Sequence, residues 1–206
     1  MMDFGPATIE GFIKIYDPIT KEVFVDKKNA IHYENMSIAL AQTLANFVEN
    51  SSRVGFIYAM AFGNGGSSVD PTGVITYLPP NTTGQNADLY NQTFIKVVDP
   101  SSPANTDPTR NFTNISHTSG TVYTDVLVSC LLDYGDVPGQ QAFDNSTNFN
   151  GEFVFDELGL KSWEGSADDL MLITHVIFHP VQKSLNRQIQ IDYTVRIQTL
   201  TNLSTT

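Results

Sequence analysis

One cysteine, one tryptophan and four histidines are spread over the 206 residues of this chain. With Cys130 alone, no intrachain disulfide and no cysteine-based zinc site can form. Basic residues are also scarce: 11 Lys and Arg stand against 22 Asp and Glu, a formal net charge of -11. Nucleic-acid binding rests on basic groups that displace phosphate counterions, and no stretch clusters them, so neither DNA nor RNA is an expected partner. An anionic membrane surface is disfavoured on the same ground. The acidity reads as solubility and restraint on premature self-association. No apolar run approaches the roughly 18 residues of a membrane span. The opening Met1 to Pro6 lacks the basic region and apolar run of a secretory signal. The Asn-x-Ser/Thr triplets at Asn81 and Asn111 are therefore read as turn and strand usage of these residues, not as glycosylation sites.

What is present is enough for a core. Hydrophobic residues make up 41 %, and the length suits one β-rich domain spanning residues 1–206, with a loop-rich insertion at about 79–120. The stretch Gly11–Tyr16 alternates, and Asp17–Lys21 supplies turn residues before Val23–Val25, which predicts a hairpin. One amphipathic helix follows, with Asn35 as N-cap, Met36, Leu40, Leu44, Phe47 and Val48 as its apolar stripe, and an end near Asn50–Ser52. Val54–Phe62 reads as a buried strand stopped by Gly63-Asn64-Gly65-Gly66. That run lacks the Gly-Lys-Ser/Thr ending of a phosphate loop and is read as a tight turn.

Two loops rich in Pro, Ser, Thr and Asn, at 79–84 and 99–108, flank a strand from Gln92 to Val98. They read either as mobile excursions of a lone chain or as arms ordered by a neighbouring subunit, and the second is the expectation taken here. Further on, Thr121–Leu132 alternates, Gly151–Leu160 is a strand running into a turn, and Leu170–Phe178 is one strand covered on both faces. In Arg187–Gln198 the residues Ile189, Ile191, Tyr193, Val195 and Ile197 face one way. Many strands with a single helix predict a mainly β fold, an antiparallel sandwich or jelly roll with one helix near the N-terminus.

No residue set announces catalysis, and no cofactor is expected. His175 and His179 stand four apart in a strand context, with Val176 where a zinc protease helix needs Glu. Cys130 sits inside an apolar strand, where a thiol is inert. Asp133, Asp136, Asp156 and Glu157 are the carboxylates from which an acid and base pair for sugar hydrolysis would have to come, and spacing alone does not set their separation. Tyr77, Tyr134 and Trp163 are candidate aromatics for subunit contacts or for stacking on a host-surface glycan.

Three segments in order carry a resemblance: Asn150–Leu160 ending in Glu157-Leu158-Gly159-Leu160, then Leu172–Ser184 with Phe178, Pro180 and Lys183, then Ile189–Ile197. Together they resemble a β-rich module of tailed-bacteriophage virion proteins. Within that pattern Glu157–Leu160 form a turn enabled by Gly159, Pro180 bends the chain between two strands, and Lys183 pairs with Glu157 across the corner. The resemblance implies a structural virion subunit of neck, collar or tail that assembles with itself and with other virion proteins. Capsid decoration and host-carbohydrate binding are the alternatives. The chain lacks the long repetitive shaft of a tail fibre.

Overall fold

The structure, a computed structural model, describes residues 7–137 and 154–199. The expectations placed on Met1–Pro6 and on Asn150–Phe153 lie outside the described residues. In chain order the elements are β1 (Ala7–Tyr16), β2 (Val23–Ile31), α1 (Tyr33–Leu44), β3 (Val48–Glu49), β4 (Ser52–Arg53), β5 (Ile57–Gly63), β6 (Ser67–Val69) and β7 (Ile75–Tyr77). They continue with β8 (Gln92–Val97), β9 (Phe112–Ser116), β10 (Tyr123–Leu132), β11 (Val154–Ser166), β12 (Asp169–Leu172), β13 (Thr174–Gln182) and β14 (Ile189–Thr199). The fold is mainly β, with one helix and a ten-stranded sheet in the order β8-β5-β11-β13-β2-β1-β14-β10-β9, with β12 added beside β11. Its pairings are antiparallel. The sheet curls, so that side chains from β1, β2, β10 and β14 meet those of β5, β11 and β13 in one core cluster. This is a sandwich-like arrangement made from a single sheet.

Period-two patterning explains the central strands. Ile189, Ile191, Tyr193 and Val195 of β14 are all at most 2 % exposed. Ile13 and Ile15 of β1 and Val128, Cys130 and Leu132 of β10 join them in the core, while Asp192, Thr194 and Arg196 between them face out. Each fully buried aliphatic side chain of this kind contributes about 1.5–3 kcal/mol against the ordering entropy.

The helix differs from its expectation at both ends. His32 is the N-cap, its Nδ1 accepting from the Asn35 amide, and the helix ends at Leu44 with Ala45 as C-cap. Asn46 has φ 49°, the left-handed conformation that stops a helix. Only the first half of the apolar stripe is used: Met36 and Ala39 are buried, whereas Leu44 is 87 % exposed.

The module strands also differ in detail. Glu157–Leu160 are not a turn but the middle of β11, paired to β13 on one side and β5 on the other. Gly159 does not have a positive φ; it is needed for close approach, because a Cβ there would lie 2.5 Å from the Leu172 Cδ1 and 2.5 Å from the Thr174 carbonyl oxygen. The expected single strand from Leu170 to Phe178 is two strands, β12 and β13. They meet at Ile173, whose amide donates to the Leu160 carbonyl at 2.9 Å. Pro180 lies inside β13, where the register slips from Phe155↔Val181 to Glu157↔Ile177. Phe178, His179 and Pro180 therefore stand opposite Asp156 alone, a bulge where the missing proline N–H costs no ladder bond.

The substitution G159A is expected to destabilise the protein by about 1–3 kcal/mol, since the obstructing carbonyl is backbone and cannot swing away. Urea unfolding at neutral pH checks this. An effect under a few tenths of a kcal/mol would contradict the close-approach role.

Candidate functional site: a buried carboxylate network

Asp156 and Glu157 are consecutive on β11 and both are buried, at 2 % and 0 % exposure. A buried carboxylate survives only if its lone pairs are matched by donors. The donors come from the glycine run that follows β5. The Gly66 amide donates to Asp156 Oδ1 at 2.9 Å and the Ser67 amide to Oδ2 at 2.7 Å, with the Ser67 hydroxyl adding a third bond. The Gly65 amide reaches Glu157 Oε1 at 3.0 Å. None of Gly63, Gly65 and Gly66 has a positive φ. A Cβ on Gly63 would sit 2.5 Å from Glu157 Oε1, and one on Gly65 would sit 2.8 Å from the Asn91 amide. The run thus presents three successive backbone N–H groups, of Gly65, Gly66 and Ser67, to two carboxylates of its own chain.

Glu157 has three further donors. The Asn91 amide donates to Oε1 at 2.8 Å, the Tyr90 amide to Oε2 at 2.9 Å, and His175 Nε2 lies 3.0 Å from Oε2. His175 Nδ1 accepts from the Asn81 amide at 2.8 Å, which leaves Nε2 to carry the proton and donate to the carboxylate. Burial opposes the charge of Glu157, but His175 and the Asn91, Tyr90 and Gly65 amides outweigh it and hold the carboxyl below its ordinary range. For Asp156 the balance goes the other way. Burial, with the neighbouring Glu157 charge, lifts it above its ordinary range despite the bonds from Ser67 and Gly66.

The same network stitches the expected arm at 79–84, and the residues that follow it to 91, onto the sheet. Lys161 Nζ, 4 % exposed, donates to Asp88 Oδ2 at 2.8 Å. His32 Nε2 meets the Gly84 carbonyl at 3.0 Å, and Asn35 Nδ2 donates to the Gln85 and Leu172 carbonyls. The second loop is held internally as well. Asn105 Nδ2 donates to the Asp99 and Asn111 carbonyls, and Asn111 Oδ1 accepts from the Leu131 amide. The expectation of arms ordered by a neighbour is corrected here: buried polar side chains of this chain already hold both segments. Asn and His at helical or strand positions are compatible with many surface roles, so no local signal in the sequence marked His32, Asn35 or Asn111 as clamps.

Lys183 does not pair with Glu157, whose oxygens are occupied. Its Nζ donates to the Ser184 carbonyl at 2.9 Å, and burial pushes its pKa down to about 8, with Asp136 and Asp133 pulling it up and Lys96 pushing it further down. These acids form a second cluster. Lys96 of β8 pairs with Asp136 at 2.7 Å, and Asp133 takes Arg110 at 2.7 Å and Gln188 Nε2 at 2.7 Å. The Lys96–Asp136 pair ties the edge strand β8 to the turn after β10, bringing opposite ends of the sheet together.

The candidate aromatics lie on separate elements. Trp163 in β11 is half-buried and packs on Tyr58 with ring centroids 4.5 Å apart. Tyr77 in β7 meets His179 Nδ1 through its hydroxyl at 3.1 Å, and Tyr134 is exposed in the turn after β10. The thiol of Cys130 is fully buried and pushed far above its ordinary range by desolvation. Among the described residues no three His, Cys, Asp or Glu side chains gather as a metal-binding group. Leu158 and Leu160 are core residues at 0 % exposure.

Two measurements test this electrostatic picture. A group held below its ordinary pKa adds stability that is lost as pH falls through its folded value, and a group held above it relaxes on acidification. E157Q, which opposes an amide N–H₂ to existing donors, is expected to cost about 3 kcal/mol at pH 7. The stability difference between wild type and E157Q should shrink toward pH 3, whereas that between wild type and D156N should grow. Equal slopes for the two variants would contradict the assignment. For Lys183 the folded protein releases its proton near pH 8 and the unfolded chain near its ordinary value of 10.5. Wild type should therefore gain about 2–3 kcal/mol relative to K183M between pH 8 and pH 10.5, and a constant difference across that window would refute the buried, uncharged lysine.

Comparison with protein families, with curated proteins and with solved structures finds no match.

Proposed function

We propose that this chain is a structural subunit of a bacteriophage particle, of neck, collar or tail, which works through protein–protein interfaces and assembles with copies of itself and with other virion proteins. The observation that carries the reading is the use made of its charged side chains. The carboxylates that would have to form an acid and base pair are consumed by the fold: Asp156 and Glu157 by loop amides and His175, Asp133 and Asp136 by Arg110, Gln188 and Lys96. Such groups fix geometry, and fixed geometry is what a lattice or ring subunit supplies. The module resemblance supports the same reading through β11, β13 and β14, which belong to one sheet.

Capsid decoration is the alternative location for the same chemistry. A glycan-binding role has less support, since Trp163 is committed to Tyr58 and the three candidate aromatics sit on β7, β11 and the turn after β10.

Quantitative mass spectrometry of purified particles from the phage encoding this chain tests the proposal. The expected result is retention through density-gradient purification at a fixed integral copy number that matches a ring, a vertex or the capsid lattice. Recovery only in the soluble lysate would overturn it.

A further inference from the structure

Strand β9 ends the sheet on one side, with β10 as its partner among the described residues. The direction of its backbone groups follows from its neighbour. Val122 O accepts from Thr199, so even-numbered residues of β10 point toward β14. Leu131 N is satisfied by Asn111 Oδ1, so odd-numbered residues point toward β9. Asp125, Leu127 and Ser129 stand opposite Ser116, Asn114 and Phe112. Those three residues of β9 therefore bond to β10, and Thr113 and Ile115 turn their N–H and C=O groups to the free edge. Consistent with this, the Ile115 amide is met at 2.9 Å by the side chain of its own neighbour Asn114.

Proteins blunt such edges with charges, above all lysine. This one does not. From Asn111 to Thr124 the sequence holds no Asp, Glu, Lys or Arg, although charged residues make up 16 % of the chain and its net charge is -11. Ile115 is 71 % exposed and Val122 is 45 % exposed. Beside the edge lies an open cavity of about 650 Å³ with a mostly apolar lining, Ile115, Val126, Val195, Ile197 and Phe47 among it, to which the 99–101 loop also contributes and in which Arg53 and Asp99 are the charged residues, one of each sign. A strand edge without charged residues, flanked by a mostly apolar cavity whose two charges are of opposite sign, is a part of this acidic surface that a second identical chain approaches with little like-charge repulsion.

We propose that β9 pairs with β9 of a second copy, antiparallel across a two-fold axis at Asn114, so that Thr113 faces Ile115 of the other copy. In that register the N–H and C=O groups of Thr113 and Ile115 exchange four hydrogen bonds, with the Asn114 side chain releasing the Ile115 amide. The two apolar cavities then lie on the same face of one continuous sheet. This deepens the assembly reading by naming the self-contact, and it rests on that reading.

Sedimentation velocity on the full chain over a concentration series tests it, with T113P and I115K as variants. T113P removes an N–H that points only to the free edge, and I115K puts two like charges at the contact. Both are expected to leave far-ultraviolet circular dichroism unchanged and to weaken a wild-type dimer at least about tenfold. Hydrogen exchange at Thr113 and Ile115 should slow as wild-type concentration rises, a readout that needs no variant. A dimer that resists both substitutions, with no concentration-dependent protection of β9, would overturn the edge contact while leaving self-assembly intact. A chain monomeric at every concentration reached would overturn the self-contact, leaving the particle measurement above to judge the virion role separately.

Discussion

A carboxylate at 0 % exposure is the constraint on which this structure turns. Glu157 is costly to bury, and its cost is offset only when four donors from separate segments converge on it: Gly65, Tyr90, Asn91 and His175. Each donor drags its own element into place. Gly65 brings the turn after β5, Tyr90 and Asn91 bring the approach to β8, and His175 brings β13 and, through Asn81, the start of the 81–91 segment. A network of this kind is worse than an apolar core when half-formed, so partial arrangements are penalised and one arrangement stands out. The long polar stretch between β7 and β8 is held by these bonds together with one apolar anchor, Leu89, which packs on Ala61 and Leu172.

The curl of the sheet has a comparable cause. Strand twist brings the two ends of a long antiparallel sheet toward each other, and the Lys96–Asp136 pair, with side chains 16 % and 19 % exposed, fastens β8 to the turn after β10. On the outward side of β1, β2, β10 and β14, opposite charges face each other across strands: Lys28 with Glu10, and Arg196 with Asp125 at 2.8 Å. Arg196 also lies over the Tyr123 ring at 3.9 Å. On that face Glu10, Asp26, Asp125 and Asp192 stand against Lys14, Lys28 and Arg196, so most of the excess negative charge is carried by the rest of the molecule.

Alternation made the central strands legible in the sequence. In β14 from Ile189 to Ile197 and in β10 from Val126 to Leu132 every second residue is apolar, and such a pattern has one physical solution when one face is buried. What escaped was set by tertiary partners. The helical stripe from Met36 to Val48 is a good local pattern, yet among the described residues little covers its second half: Leu44 and Phe47 are exposed on either side of the left-handed Asn46 that ends the helix. The Glu157-Leu158-Gly159-Leu160 segment reads as a turn from the module resemblance and the freedom of Gly159. Here the charge is buried by distant amides and the glycine clears space for Thr174, neither of which is encoded within the segment. The glycine run after β5 was seen to differ from a phosphate loop, but that its amides cradle Asp156 and Glu157, some ninety residues later in the chain, could be known only from the fold.

Full internal pairing of buried charge also bears on the proposed self-contact. Internal charges that are fully paired contribute rigidity and nothing to recognition, so contacts between copies must be made by what the fold leaves unpaired. In an acidic protein most of the surface repels its own copies at short range, within a Debye length of about 8 Å at physiological salt. Repulsion of that kind does not forbid association; it selects the orientation in which uncharged surface meets uncharged surface. An edge strand without charge, set in such a molecule, then gains specificity from everything around it that discourages other encounters. In the proposed self-contact, the scarcity of lysine and arginine gives association a direction, since it leaves the uncharged edge as the surface with least repulsion between copies.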